Sequence, residues 1–361
     1  MSKKILIINP FGIGDVLFTT PLIHTLKDAF PGVGIGYLCN RRSLAVLENN
    51  LFLDYLFVYE RDEFEAVRRK SFFLWLGKIN LLLNEIKKER FEVCLDFSLN
   101  RQYGFFSWYC GIPERIGYDF KNRGNFLTKK IRLSGYTGKH VIEYYLGLLK
   151  FLNLEVKYRN PEFYLKEEDL AWAEQFLADK QVDVDNLLVV LIPAGGKSWG
   201  KDSYLKHWPV ENFARLADKI VEKYKATIII LGDSSEKEIC SSLKNNMHYG
   251  ALDLSGEITI NQLGALISKA GLVITNDGGP LHIAVALGRK TLSFFGPVDP
   301  AVYGPYPLDP QRHAVLFKEL DCRPCYQNFR LKTCSKDRLC LKGITLQDAE
   351  EALAKLLNLG E

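Results

Sequence analysis

At 361 residues, with 47% hydrophobic and 25% charged residues, the chain has ordinary soluble globular composition and the length of two domains rather than one. Its formal charge of +4, from 47 Lys and Arg against 43 Asp and Glu, suits an anionic ligand or membrane surface and excludes a dedicated nucleic-acid binder, which is usually more basic. The first apolar run, in MSKKILIINP, is only about five residues long, too short for a signal peptide or spanning helix, so a cytoplasmic protein is expected.

In chain order, KILIIN reads as a strand and DVLFTTPLIHTLKDAF as an amphipathic helix. VGIGYLC, DYLFVYE, EVCLDFS and RIGYD are the next strands, with helices near Leu74–Arg90 and His140–Leu152. SFFLWLGKINLLL, Ser71 to Leu83, reads as a core helix. With Arg68, Arg69 and Lys70 before it, the alternative is an amphipathic surface touching anionic lipid, on the inner face of a membrane. A charged connection with one helix fills roughly Asn160 to Asp185. A second series follows: LLVVLIPA, a helix over Val210 to Tyr224, ATIIILGD, a helix near Ser235–Asn246, LDLSG, GLVIT and TLSFFG. Alternating strands and helices predict a parallel, doubly wound α/β sheet in each half. The expected division is an N-terminal Rossmann-like domain over 1–165, a C-terminal one over 166–345, and a last helix over 346–361 that packs back on the first domain. The TLQD stretch, with Thr345 and Asp348 in capping-box spacing, predicts where that helix starts.

In open α/β sheets ligands collect beyond the carboxyl ends of the strands, so four strand-end junctions carry the chemistry. In TNDGGPLH, Gly278 and Gly279 permit close backbone approach, Pro280 suits a first helical turn, and the free amides there favour an anion, with His282 as a further donor. The alternative is a tight turn with a packed histidine. NPFGIGDVLFTTP lacks the third glycine of a dinucleotide fingerprint, which disfavours hydride transfer, and it puts Asp15 at a helix start. That carboxylate is either a general base or a first-turn charge worth about 0.5–1 kcal/mol against the helix dipole. In PAGGKSWGKDSYLKHWP, Gly195 and Gly196 are placed to cradle phosphate without forming a Walker A loop, and Lys206 is either a phosphate ligand or a surface lysine. In LGDSSEKE, Glu236 meets ribose hydroxyls or starts a helix. The acidic pair Asp183 and Asp185 matches a metal-binding D-x-D only superficially, because it precedes a strand in the connection.

Of the 8 cysteines, Cys39, Cys94, Cys110 and Cys240 read as buried reduced thiols. Cys322, Cys325, Cys334 and Cys340 cluster, and are either a structural zinc site or free thiols.

Together these motifs resemble glycosyltransferase family nine, the ADP-heptose:lipopolysaccharide heptosyltransferases, over nearly the whole chain: KILIINPFGIGDVLFTTPLIHTLKDAFP, KHWP, NDGGPLHIAVALG, FFGPVDP and the cysteine-bearing tail. The resemblance implies a GT-B fold, two Rossmann-like domains facing a central cleft, the acceptor on the first and the nucleotide-sugar on the second. It further implies inversion at the anomeric carbon without a catalytic metal. Asp15 matches the base, Lys206 the lysine on the donor phosphates, and Asp277, Gly279 and His282 the donor site. The implied partners are ADP-heptose and the inner core of lipopolysaccharide. Arg101, Arg115 and Arg123, in loops of the first domain, suit phosphates on such an acceptor. Two other readings stand beside it: a related GT-B transferase using a different nucleotide-sugar, and a non-catalytic nucleotide-sugar-binding protein of the envelope.

Overall fold

The structure, a computed structural model, describes residues 3–156, 159–183, 186–195 and 197–358. The chain divides into two units, Met1–Arg159 and Asn160–Glu361. The boundary falls just ahead of the expected position because Phe163 and Leu165 already pack on Gly264 of the second unit, where a Cβ would collide with the Phe163 ring. Asp185 and Gly196 lie outside the described residues.

In the first unit, β1 (Lys4–Ile8), β2 (Gly34–Cys39), β3 (Tyr55–Val58), β4 (Val93–Asp96), β5 (Glu114–Phe120) and β6 (Lys129–Leu133) form one parallel sheet in the order β3-β2-β1-β4-β5-β6. In the second, β7 (Leu188–Ile192), β8 (Thr227–Ile230), β9 (Leu252–Asp253), β10 (Leu272–Asn276), β11 (Lys290–Phe294) and β12 (His313–Leu316) form another, in the order β12-β11-β10-β7-β8-β9. Read from the opposite edge the second order repeats the first, and each reverses direction beside its own first strand. That reversal opens a crevice between β1 and β4 in one unit and between β7 and β10 in the other, where an open α/β sheet binds ligands. The central strands carry the apolar runs ILII, LVVLI and LVI, because helices cover both faces.

The last strand of each sheet escaped the sequence reading. KKIRL at β6 is mostly charged and exposed, as edge strands are, and HAVL at β12 is too short to announce itself. The first helix divides into Ile13–Leu17 and Thr20–Ala29, because the Thr19 and Thr20 hydroxyls donate to the carbonyls of Val16 and Leu17.

The C-terminal helix Leu346–Asn358 starts at the expected Thr345–Asp348 capping pair, with reciprocal bonds of 2.7 and 3.1 Å. The expectation that it packs back on the first domain is corrected. Ala349, Leu353 and Leu356 bury themselves with Phe213, Leu216 and Ile220 of the helix Val210–Tyr224, in the core of the second unit. Burying the two leucines contributes about 2 kcal/mol each.

The core-helix reading of Ser71–Leu83 holds for half the segment. The helix spans Phe72–Lys88, and Ile79, Leu82, Leu83 and Ile86 enter the first unit's core, while Phe72, Phe73, Leu74, Leu76 and Leu81 stay exposed. Among the described residues no helix is long and apolar enough to cross a membrane.

Candidate active site

In the first unit the functional junction follows β1. Buried Asn9 holds it: its Nδ2 donates to the Asp15 carbonyl at 3.0 Å and its Oδ1 accepts from the Phe11 amide at 3.2 Å. Gly12 caps the short helix Ile13–Leu17 and Asp15 lies in its first turn, partly exposed. The hydroxyl of Tyr145, from the helix Val141–Gly147, reaches Asp15 Oδ1 at 3.5 Å. Beneath them Tyr37 is fully buried and shares a hydrogen bond with Thr19; burial pushes its phenol well above its ordinary range. Asp15 is thus a carboxylate reachable from solvent on a floor of buried polar groups.

Asp96, at the end of β4 and in register with Ile8 of β1, was missed. It is buried, and burial raises its carboxyl to about 6 against the lowering effect of the Ser98 amide, which donates at 2.8 Å. An acid ending an apolar run, CLDFS, was its only signal.

In the second unit three strand-end junctions converge, those after β7, β8 and β10. Asp277 follows β10, and its Oδ2 pairs with Lys206 Nζ at 2.6 Å, both residues less than a tenth exposed. The approach is off the line of a hydrogen bond, so among the described residues Oδ2 is charge-paired without an aligned donor. The Lys206 ammonium also stands 4.3 Å from the centre of the Trp199 ring. The surface-lysine reading of Lys206 is therefore corrected. Gly278 is fully extended and caps the helix Gly279–Ala286, whose first turn keeps Gly279 and Pro280 partly exposed above buried Asp277 and His282. Burial first, and Lys206 second, pull the His282 imidazole down to about 3, so at pH 7 it is a neutral ring with one N–H to offer.

Sequence reasoning missed what holds this arrangement. Asn276 is almost wholly buried; its Nδ2 donates to the Pro193 carbonyl at 2.7 Å, and its Oδ1 accepts from the Trp208 amide at 2.9 Å, tying β10 to the loop after β7. Trp208 stacks on Phe294 at 4.0 Å and donates to the Ile344 carbonyl, which anchors Lys206 two residues earlier.

Gly195 has φ +111°, and its backbone is engaged at both ends: the amide donates to Glu236 Oε1 at 2.9 Å, and the carbonyl faces His207 Nε2 at 2.9 Å. The expected phosphate contact through the Gly195 amide is therefore corrected. Glu236 is a capping residue, since its Oε2 also accepts from the Asp233 amide at 2.9 Å. It still lines a cleft of about 580 Å3 with Ala194, Ser203, His207, Ser235 and Ile239, of a size suited to a nucleoside.

The three arginines separate. Arg101 follows the carboxyl end of β4 and lies exposed over the Phe126 ring, and Arg123 follows β5, exposed near the Phe120 ring. Arg115 lies at the amino end of β5, and its guanidinium donates to the carbonyls of Phe126, Ile112 and Pro113. Its placement as an acceptor ligand is corrected: it clasps the strand entry, at the wrong end for the crevice.

Cys322, Cys325, Cys334 and Cys340 carry free thiols around a hairpin. Burial raises the Cys325 thiol, and Cys322 and Cys340 add to the effect. Among the described residues, no group of three His, Cys, Asp or Glu side chains is disposed to hold a metal ion, this quartet included.

Two doubly wound sheets of the same strand order, each with polar side chains at its switch point, are the architecture of the GT-B fold. The family model described as glycosyltransferase family 9 (heptosyltransferase) matches residues 80–335, well over half of the chain, and the protein belongs to that family of glycosyl-transferring enzymes. The chain is 20% identical, over 84% of its length and 82% of the relative's, to the lipopolysaccharide core heptosyltransferase OpsX of Haemophilus influenzae. A glycosyl transferase family 9 structure from Veillonella parvula superposes with a TM-score of 0.83, at 22% identity over 99% of this chain and 97% of that one. The Escherichia coli heptosyltransferase WaaC with ADP-2-deoxy-2-fluoro heptose superposes at 0.69, with 16% identity over 98% and 99% of the two chains. These two likenesses establish the fold.

Proposed function

We propose that the protein moves heptose from ADP-heptose to the inner core of lipopolysaccharide with inversion at the anomeric carbon. The observation that carries this reading is the buried Lys206–Asp277 pair beside the start of the helix Gly279–Ala286. A buried ammonium held by a carboxylate next to a helix N-terminus is a site prepared for a diphosphate. Support for the sugar and acceptor comes from relatives: OpsX is named a lipopolysaccharide core heptosyltransferase, and WaaC is a heptosyltransferase seen with an ADP-heptose analogue.

In this reading the nucleoside occupies the cleft lined by Ala194, His207 and Glu236. The diphosphate lies against Lys206 and the amides of Gly278 and Gly279. The acceptor hydroxyl attacks the anomeric carbon as the bond to the ADP oxygen breaks, its proton passes to Asp15, and ADP leaves with the bonding pair. Asp15 supplies general-base catalysis of about 10²–10⁴-fold. Lys206, the neutral His282 donor and the helix start balance the charge growing on ADP as preorganised electrostatics. These groups take the place of a divalent cation at the diphosphate. Arg101 and Arg123 are assigned to acceptor phosphates, and the enzyme works at the cytoplasmic face of a membrane carrying the lipid-borne acceptor.

A donor screen tests the whole. Purified protein with extracted core lipopolysaccharide is expected to release ADP from ADP-heptose and to ignore UDP- and GDP-sugars. Turnover of a different nucleotide-sugar would reassign the donor, and binding without turnover would make the protein a non-catalytic binder.

A further inference from the structure

A soluble helix turns its apolar side chains inward, and the second half of Phe72–Lys88 does so with Ile79, Leu82, Leu83 and Ile86. Its first half does the opposite: Phe72 is 56% exposed, Phe73 83%, Leu74 66% and Leu76 41%, with Leu81 at 63% further on. Ser71 makes the corner. It is fully extended, its amide closes the preceding helix Arg61–Lys70 on the Val67 carbonyl, and its hydroxyl caps the next helix at the Leu74 amide. Arg68, Arg69 and Lys70 thus stand exposed immediately before three exposed apolar side chains. Of the nearby acids, Glu63 is committed to Arg41 and Lys78 and Glu65 pairs with Arg68, so Arg69 and Lys70 are the cations that the corner presents.

From Phe73, steps of three or four residues lead through exposed Leu76, Asn80 and Asn84 to Lys87, one stripe along the helix. Lys87 Nζ lies 5.8 Å from the centre of the Tyr109 ring, at the end of the helix Arg101–Tyr109, where Trp108 is 51% and Tyr109 43% exposed. One stripe therefore begins in protruding Phe and Leu with adjacent cations and ends in Trp, Tyr and Lys, side chains suited to a bilayer interface.

We propose that the corner of Arg68–Leu76, continued along this stripe to Trp108 and Tyr109, docks the protein flat on an anionic lipid bilayer. Charge decides the occupant. Arg69 and Lys70 meet complementary headgroups on such a bilayer, but would face their own copies across a symmetric dimer, and protein interfaces are depleted in charge at their centres. The inference deepens the proposed lipid-borne acceptor and rests on that reading for its purpose.

The test is co-sedimentation of the full-length protein with vesicles of phosphatidylglycerol and phosphatidylethanolamine, against vesicles of phosphatidylcholine, at low and high salt. Wild type is expected to sediment with the anionic vesicles and to release as salt rises. Phe73→Ser with Leu74→Ser should lower partitioning about tenfold or more. Arg69→Gln with Lys70→Gln should weaken it and flatten its salt dependence. Both double variants change exposed side chains, so melting temperature and turnover on a water-soluble, deacylated acceptor should stay at wild-type levels. Equal partitioning of wild type and variants, or sedimentation of neither, overturns the proposal. So does a dimer in light scattering that Phe73→Ser with Leu74→Ser converts to monomer, which would give the patch to a second copy. Because the vesicle assay contains neither donor nor acceptor, loss of heptosyl transfer with retained vesicle binding would refute the enzymatic reading alone.

Discussion

Replacing Lys206 by alanine removes the ammonium that stands 2.6 Å from the buried Asp277 Oδ2. Breaking a buried ion pair by deleting one partner costs about 3–5 kcal/mol, because the remaining charge is stranded away from water. The off-line approach of the two groups puts this pair near the lower figure, about 3 kcal/mol. For a unit of this size each kcal/mol moves the melting temperature by about 2–4 °C, so Lys206→Ala should melt about 10 °C below wild type. It should also lose turnover by about 10²-fold or more, as the charge opposite the leaving diphosphate is gone. Stability and chemistry separate in the double variant Lys206→Met with Asp277→Asn. Methionine keeps an apolar stem against Trp199 and no charge is stranded, so most of the melting temperature should return while turnover stays low. Thermal denaturation by circular dichroism and ADP release report the two quantities independently. A Lys206→Ala protein that melts and turns over like wild type would refute the buried-pair argument. A double variant with restored activity would show that the site does not act through charge.

Asp15→Asn keeps size and capping ability, so it should fold normally, bind donor in calorimetry as wild type does, and lose turnover by about 10²-fold or more. Glu236→Ala breaks the capping box and frees the Gly195 amide; a loss of about 1–2 kcal/mol in denaturant titration and a raised donor KM are expected. Asp96→Asn tests burial: with its carboxyl at about 6 in the folded chain against an ordinary 3.8, the folded state holds the proton more tightly, so stability is fullest below 3.8 and falls as pH rises through 6. That gap corresponds to about 3 kcal/mol, so Asp96→Asn should melt above wild type at pH 7 and lose the advantage by pH 4; equal melting at both would refute the assignment. EDTA should leave the rate of ADP release unchanged, and restoration of a lost rate by Mg²⁺ would contradict the role given to Lys206.

The two doubly wound halves are legible in the sequence, because apolar runs of strand length alternate with helical spacing and both patterns are local. The junctions are legible as well, since GIGD and NDGGP mark strand ends by glycine, proline and charge, and KHWP marks the start of the helix Val210–Tyr224. Tertiary structure alone decided which side chains meet. Lys206 and Asp277 stand far apart in the chain and pair only because β7 and β10 are neighbours in the sheet. The same long-range geometry turned Glu236 and Gly195 on each other, moved Arg115 to the wrong end of its strand, and buried Asp96. It also left Phe73 and Leu74 in solvent, although local composition reads a run of apolar residues as core. Composition records how apolar a segment is, but burial depends on the neighbours that the sheet order brings to it.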